Sequence, residues 1–270
     1  MTSPWIAALI ALFVWWASTG AILLRVRQAD NRGGDQHLRS VLLGLPVLVL
    51  GFAGAGVSVG DPGAAGSYTA FFSALAIWGW VEIAFLSGIV TGPNRSHCPQ
   101  AASGGERLWR SVGTIAWHEV TLITMLAALA VLSRDAGHAF AFWTFAMLFF
   151  ARVSAKLNLF LGVPRINVQF LPRPLAHLPS HFRIAKMNWF FPISITALTF
   201  AAYCWLERLL SAPTAGAGIG FALLTTLTLL ALLEHWFMVL PLPDDRLWRW
   251  MIPAPKPNPK MMLREDANGL

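Results

Sequence analysis

Glu234 and His235 stand side by side in LLEHWF, directly after the run IGFALLTTLTLLALL. His118 and Glu119 are neighbours in AWHEVTL, Glu82 sits in WVEIAFLSG, and FARVSAKLNLF carries Arg152, Lys156 and Asn158. Every one of these groups is embedded in sequence built to avoid water. Three chemistries use such residues in such a setting. Carboxylates and cations brought together form an ion-pair network that fixes helix packing. Neutral imidazoles coordinate a metal or the magnesium of a tetrapyrrole, which makes His118 and His235 the candidate pigment or metal ligands. Chains of His and Glu also carry protons or ions. The residue types alone leave all three open.

Several familiar sites are absent. There is no Glu-x-x-His pair of the di-iron bundle kind. There is no His-Glu-x-x-His motif, no nucleotide-binding glycine loop and no nucleophile elbow. The clustered histidines of membrane desaturases are missing. A retinal protein needs a Schiff-base lysine in its last span; that span has none, and Lys156 lies in the fifth. The two cysteines, Cys98 and Cys204, fall in a loop and in an apolar segment, so neither a disulfide nor a Cys-x-x-Cys metal site is expected.

These groups must be positioned by membrane helices. Of the 270 residues 56% are hydrophobic and only 12% charged, and the mean hydropathy is +0.57. A soluble domain carries about 25% charged residues. A spanning helix needs about 20 apolar residues, and seven stretches qualify: 4–24, 40–60, 67–92, 108–133, 140–163, 188–211 and 219–241. The fold class expected is an all-α integral membrane protein, a single seven-helix domain over 1–241 followed by a tail over 242–270. The first span lacks the basic flank of a cleaved signal and reads as retained.

The basic residues give an orientation. Arg25, Arg27, Arg32 and Arg39 fall in one connection, Arg95, Arg107 and Arg110 in the next on that side, and Arg165, Arg173, Arg183 and Lys186 in the third. The tail adds Arg246, Arg249, Lys256, Lys260 and Arg264, while the opposite side has only Arg134 and Arg208. The positive-inside rule then puts the N-terminus outside and the C-terminus in the cytoplasm. The net charge of +7 therefore belongs to cytoplasmic loops, and nothing in it resembles a nucleic-acid face. Counted from the cytoplasmic span ends at about 1.5 Å per residue, the buried ionisable groups all lie roughly 9–17 Å deep. The third, fourth, fifth and seventh spans are thus expected to share an interior, with Glu82, Glu119 or Glu234 paired to Arg152 or Lys156. By depth, Trp117-His118-Glu119 and Glu234-His235-Trp236 read in the same order, so the two His–Glu pairs are expected close together.

The flanks read as membrane surface. Trp5, Trp109, Trp189, Trp248 and Trp250 lie near span ends, the ordinary place for interfacial anchors. PLPDDRLWRWMIPAPKP leaves the last helix at prolines and alternates Trp with Arg, as an interfacial stretch would, and PAPKPNPK reads as extended. The long connection 164–187 mixes Phe170, Leu171, Leu175, Leu178 and Phe182 with basic residues and invites a short amphipathic surface helix.

Five stretches, ALFVWWASTGAI, KLNLFLGVPRIN, QFLP, MNWFFPISIT and LEHWFMVLPLPDDRLWRW, together resemble the PuhE family, also called photosynthetic complex assembly protein 2. The resemblance runs from about Ala8 to about Trp250. It implies a multi-pass protein of the cytoplasmic or intracytoplasmic membrane of phototrophic bacteria, associated with bacteriochlorophyll production and with reaction-centre or light-harvesting complex formation. Bacteriochlorophyll or a precursor becomes the expected ligand, and photosynthetic apoproteins or bacteriochlorophyll-pathway enzymes the expected partners beside the lipid bilayer. The resemblance supplies no ligand residues. Three functions stay open: an assembly factor without catalysis, a membrane enzyme or enzyme subunit acting on a bacteriochlorophyll precursor through a buried His/Glu metal site, or a small transporter or ion conductor. The topology is testable directly. A reporter fused at Gly33 should register as cytoplasmic and one at Gly216 as external, and cytoplasmic activity at Gly216 would break the scheme.

Overall fold

Lipid offers the backbone no hydrogen-bond partner, so an apolar chain satisfies itself by forming helices. The computed structural model describes residues 3–242. Seven helices in it are long and apolar enough to cross a membrane: α1 (Pro4–Arg32), α2 (Gln36–Ser58), α3 (Ala64–Leu86), α4 (Gly104–Leu132), α5 (Phe140–Leu161), α6 (Phe190–Leu210) and α7 (Ala215–Phe237). The one extended pairing among the described residues is an isolated bridge between Val163 and Ile184. The interfacial tail expected from the sequence lies almost wholly outside the described residues.

α3 and α7 form the centre, because small residues let neighbours approach them closely. α2 packs along α3, α6 along α7, and α1 crosses between these pairs. Ser67 of α3 donates to the Gly216 carbonyl of α7 at 2.8 Å. Ala70, Phe71, Ala74 and Ile77 meet Ile219, Leu223, Leu224 and Leu227 in the main core, with Phe145 of α5. A second, smaller core holds Val26, Phe85, Ile115, Phe160, Leu175 and Leu178. Leu43, Val57, Val131, Phe150 and Phe200 point outward and are exposed, as lipid-facing side chains should be.

The loops gather at two ends. Loops 33–35, 87–103 and 162–189 meet at the basic end, where His181 bonds the Ser96 carbonyl and the Arg173 N–H reaches the Asp30 carboxylate. At the other end His138 bonds the Asp61 carbonyl.

Three expectations need correction. α1 and α2 run through most of the polar stretch between the first two spans, and only 33–35 separate them. α3 ends at Leu86 rather than at 92, because Gly88 turns the chain at φ +72°, a conformation that glycine adopts without strain. The chain from 89 to 94 then lies irregular along the side of α4. The His118 N–H donates to the Thr91 carbonyl at 2.9 Å, and the Asn94 N–H to the Gly113 carbonyl at 3.0 Å. Non-helical backbone survives at such depth only when protein satisfies it. Lastly, 164–187 forms no amphipathic surface helix. Pro172, Pro174 and Pro179 break it into three short 3-10 turns. Leu175, Leu178 and His181 are buried by these turns, and burial holds the imidazoles of His177 and His181 below the ordinary histidine range.

Gly92 is the tightest point of this clasp: a Cβ there would strike the Gly113 carbonyl and the Thr114 backbone. Gly92→Ala should destabilise the protein by about 1–3 kcal/mol. Gly105→Ala, which meets open space, should be neutral. Thermal unfolding in mild detergent, with membrane abundance alongside, compares the two.

Candidate functional site

An intramembrane charge has few inexpensive solutions, and α5 supplies most of those used here. Residues four apart share a helix face, and residues two apart lie about 200° from one another. RVSAKLN therefore makes a helix with two opposed polar faces. Arg152 and Lys156 form one. Arg152 Nη2 donates to Glu82 Oε2 of α3 at 2.7 Å, and Lys156 Nζ donates to Glu119 Oε1 of α4 at 2.7 Å. Between these pairs lie Phe85 and His118, in tilted contact with ring centres 4.3 Å apart, and Lys156 Nζ stands 5.2 Å from the Phe85 ring centre.

Ser154 and Asn158 form the other face. The Ser154 hydroxyl lies 2.9 Å from His235 Nε2 of α7. Asn158 donates to Ser194 of α6 at 2.9 Å and accepts from Asn188 at 3.0 Å. Asn188 in turn accepts the N–H groups of Phe190 and Phe191, capping α6. Ser154, Asn188 and Ser194 were not read from the sequence as site residues. Hydroxyls and amides are common near helix ends and in small-residue interfaces, and nothing in the local pattern marks these three.

The two histidines differ. His235 Nδ1 lies 2.8 Å from the Ala231 carbonyl. A carbonyl only accepts, so Nδ1 carries the hydrogen and Nε2 accepts from Ser154. Both ring nitrogens are engaged. His118 is fully buried, and neither of its nitrogens has a hydrogen-bond partner. Its Nε2 stands 3.7 Å from Glu82 Oε1, which is also unpartnered. The two His–Glu pairs therefore do not form one site. His118 and Glu119 belong to the Arg152–Lys156 face of α5, and His235 to the opposite face. Similar depth brought the two histidines to opposite faces of α5 and not to each other.

Glu234 turns away from His235 into a cleft. Its Oε1 accepts from the Trp15 indole N–H at 3.0 Å. Here two chambers of about 330 and 320 Å³ adjoin, sharing Trp15, Arg152, Ala155, Asn167, Phe170, Leu171 and Glu234. Each alone is at the lower end of ligand-pocket sizes, about 300–1,000 Å³. The walls are mainly apolar, and the segment carrying Phe170 and Leu171 forms the cover toward the basic end. Neither His118 nor His235 lines either chamber.

A metal does not fit this donor set. Among the described residues no three His, Cys, Asp or Glu side chains converge, and His118 with Glu82 offers two donors without a third. What the arrangement does supply is a held arginine and a held carboxylate in an apolar cleft. The pairing on α5 has a measurable consequence. Lys156→Gln should lower stability by about 3–5 kcal/mol, because Glu119 is left without its cation. Lys156→Gln combined with Glu119→Gln should recover most of that loss. Equal stability of the single and double variants, measured by unfolding in detergent, would mean that the pair is not coupled.

Comparison with known proteins gives this chain a family and a relative but no activity. A Rhodobacter capsulatus protein described as "Uncharacterized 30.4 kDa protein in puhA 5'region" is 61% identical over 254 residues, covering 94% of this chain and 93% of the relative. No solved structure matches. The family described as "Protein of unknown function (DUF3623)" matches residues 1–259, and this chain belongs to it.

Proposed function

We propose that this protein is a membrane assembly factor for bacterial photosynthetic complexes. It supports bacteriochlorophyll supply, or the formation of reaction-centre and light-harvesting complexes, by holding an amphiphilic molecule within the bilayer. The observation that carries this reading is the two-chambered cleft among α1, α3, α5 and α7. It is mainly apolar in its walls, it exposes Arg152 and Glu234, and Glu82, Glu119 and Lys156 are held in ion pairs rather than arranged as nucleophile, base and electrophile. Such a site suits binding and release better than bond making.

Two further lines support the photosynthetic assignment. The resemblance to the PuhE family covers most of the chain. The relative's description places it in the puhA 5' region, which points to a photosynthesis gene cluster. In this reading the protein lies in the cytoplasmic or intracytoplasmic membrane with its N-terminus outside, so the cleft opens in the cytoplasmic half. The loops of the basic end are the face offered to apoproteins or to bacteriochlorophyll-pathway enzymes. The enzyme reading has no comparable support, because among the described residues its metal lacks a third donor.

Ala155 lines both chambers, and its replacement by Phe would fill the junction while leaving the ion pairs in place. In an Ala155→Phe strain the protein should still accumulate, while near-infrared absorbance of the pigment complexes falls at least several-fold. Normal complexes with a filled cleft would overturn the proposal.

A further inference from the structure

The cleft has two ends of different character. Among the described residues, its outer chamber is lined by Arg152, Lys156 and Arg165 with one carboxylate, Glu234. Its inner chamber is walled by Leu75, Trp78, Met147, Leu148 and Leu227, with Glu82 at its edge. Arg152 and Glu234 stand where the chambers join. Lys156 is matched by Glu119, and its side chain is only 10% exposed. Arg152 is matched less completely. Of five N–H donors on a guanidinium, the protein engages one, through Nη2 to Glu82, and Nε is buried without a partner. The Arg152 side chain remains 39% exposed, and it lines both chambers. An arginine with idle donors is costly inside a bilayer. Its planar fork matches the oxygens of a carboxylate or phosphate.

We propose that the cleft binds an amphiphile through an oxyanion head, a carboxylate or phosphate received by Arg152 with Lys156 beside it, and seats the apolar body in the inner chamber. This rests on the reading of the cleft as a holding site. The head lies toward the basic end, which is the direction in which membrane amphiphiles already point their heads, so the ligand enters without turning over. The charges facing the head are accounted for. Glu82 and Glu119 are each tied to a cation, and Arg165 at the rim is engaged by the Leu242 carbonyl. Glu234, fixed by the Trp15 indole, is the carboxylate that faces the head. It favours a head of single negative charge and offers an acceptor to a hydroxyl or amide on the same molecule.

Trp78 reports on the inner chamber and Trp15 on the junction, so a brominated chain bound in this way quenches their fluorescence. The full-length protein in nonionic detergent is titrated with a brominated fatty acid, with the corresponding brominated alcohol, and with phosphatidylglycerol carrying brominated chains. The acid or the phospholipid should quench saturably, and Trp78→Phe should remove part of that signal. The alcohol should bind at least about tenfold more weakly, the value of one charge-assisted hydrogen bond. Arg152→Gln combined with Glu82→Gln, which avoids stranding the glutamate, should lose a similar factor for the acid. Preference for the fatty acid identifies a carboxylate amphiphile, and preference for the phospholipid identifies a bilayer lipid; both support an oxyanion site. Equal binding of acid and alcohol by the wild-type protein overturns oxyanion recognition and leaves the holding role standing. No saturable quenching by any of the three overturns the proposal, and the Ala155→Phe strain then decides separately whether the cleft matters.

Discussion

A charge placed in hydrocarbon must find an opposite charge on another helix, and the interior of this protein is organised around that requirement. α5 carries the two cations, and they reach α3 and α4 through contacts of 2.7 Å. The reverse face of the same helix reaches α7 through Ser154 and α6 through Asn158. Four of the other six helices are thus tied to one helix by side chains drawn from seven consecutive residues. Apolar packing in a bilayer discriminates poorly among helix arrangements, because lipid is as apolar as leucine. Directed pairs of this kind are what single out one register and one rotation for each helix.

The membrane part of the fold was legible because hydropathy is read over about 20 residues and tolerates local error. Seven spans, and pairing between the acids and the cations of the interior, were both available from spacing and depth. What depth cannot encode is direction around a helix axis in a bundle whose neighbours are unknown. His118 and His235 lie at similar depth, yet they fall on opposite faces of α5. The early end of α3 was hidden for a different reason. FLSGIVTG is apolar enough to look helical, and its turn depends on Gly88 together with two backbone partners on α4 that are remote in sequence. The connection 164–187 misled in the same manner. Its apolar residues were read as a membrane-facing stripe, whereas its prolines divide it into turns that bury Leu175 and Leu178 against protein.

The candidate site was half legible. Arg152 and Glu234 were visible as buried ionisable groups, but their common cleft was not, because Trp15, Phe170 and Leu171 come from three other parts of the chain and carry no chemical signature. The histidines drew attention as ligands by residue type. In the structure His235 has both nitrogens occupied, and His118 is sealed beneath Phe85, so imidazole chemistry recedes and guanidinium chemistry comes forward.

The two faces of α5 also differ in when their partners exist. A chain made from its N-terminus delivers α3 and α4 to the membrane before α5. Glu82 and Glu119 are therefore in place when Arg152 and Lys156 arrive, and the two cations never need wait in lipid for helices not yet made. Ser154 and Asn158, which are far less costly to leave briefly unpaired, are the groups that wait for Asn188, Ser194 and His235. The order of the sequence thus makes the carboxyls, which a proton can neutralise, wait for the cations, and leaves the tolerant hydroxyl and amide to receive the last two helices.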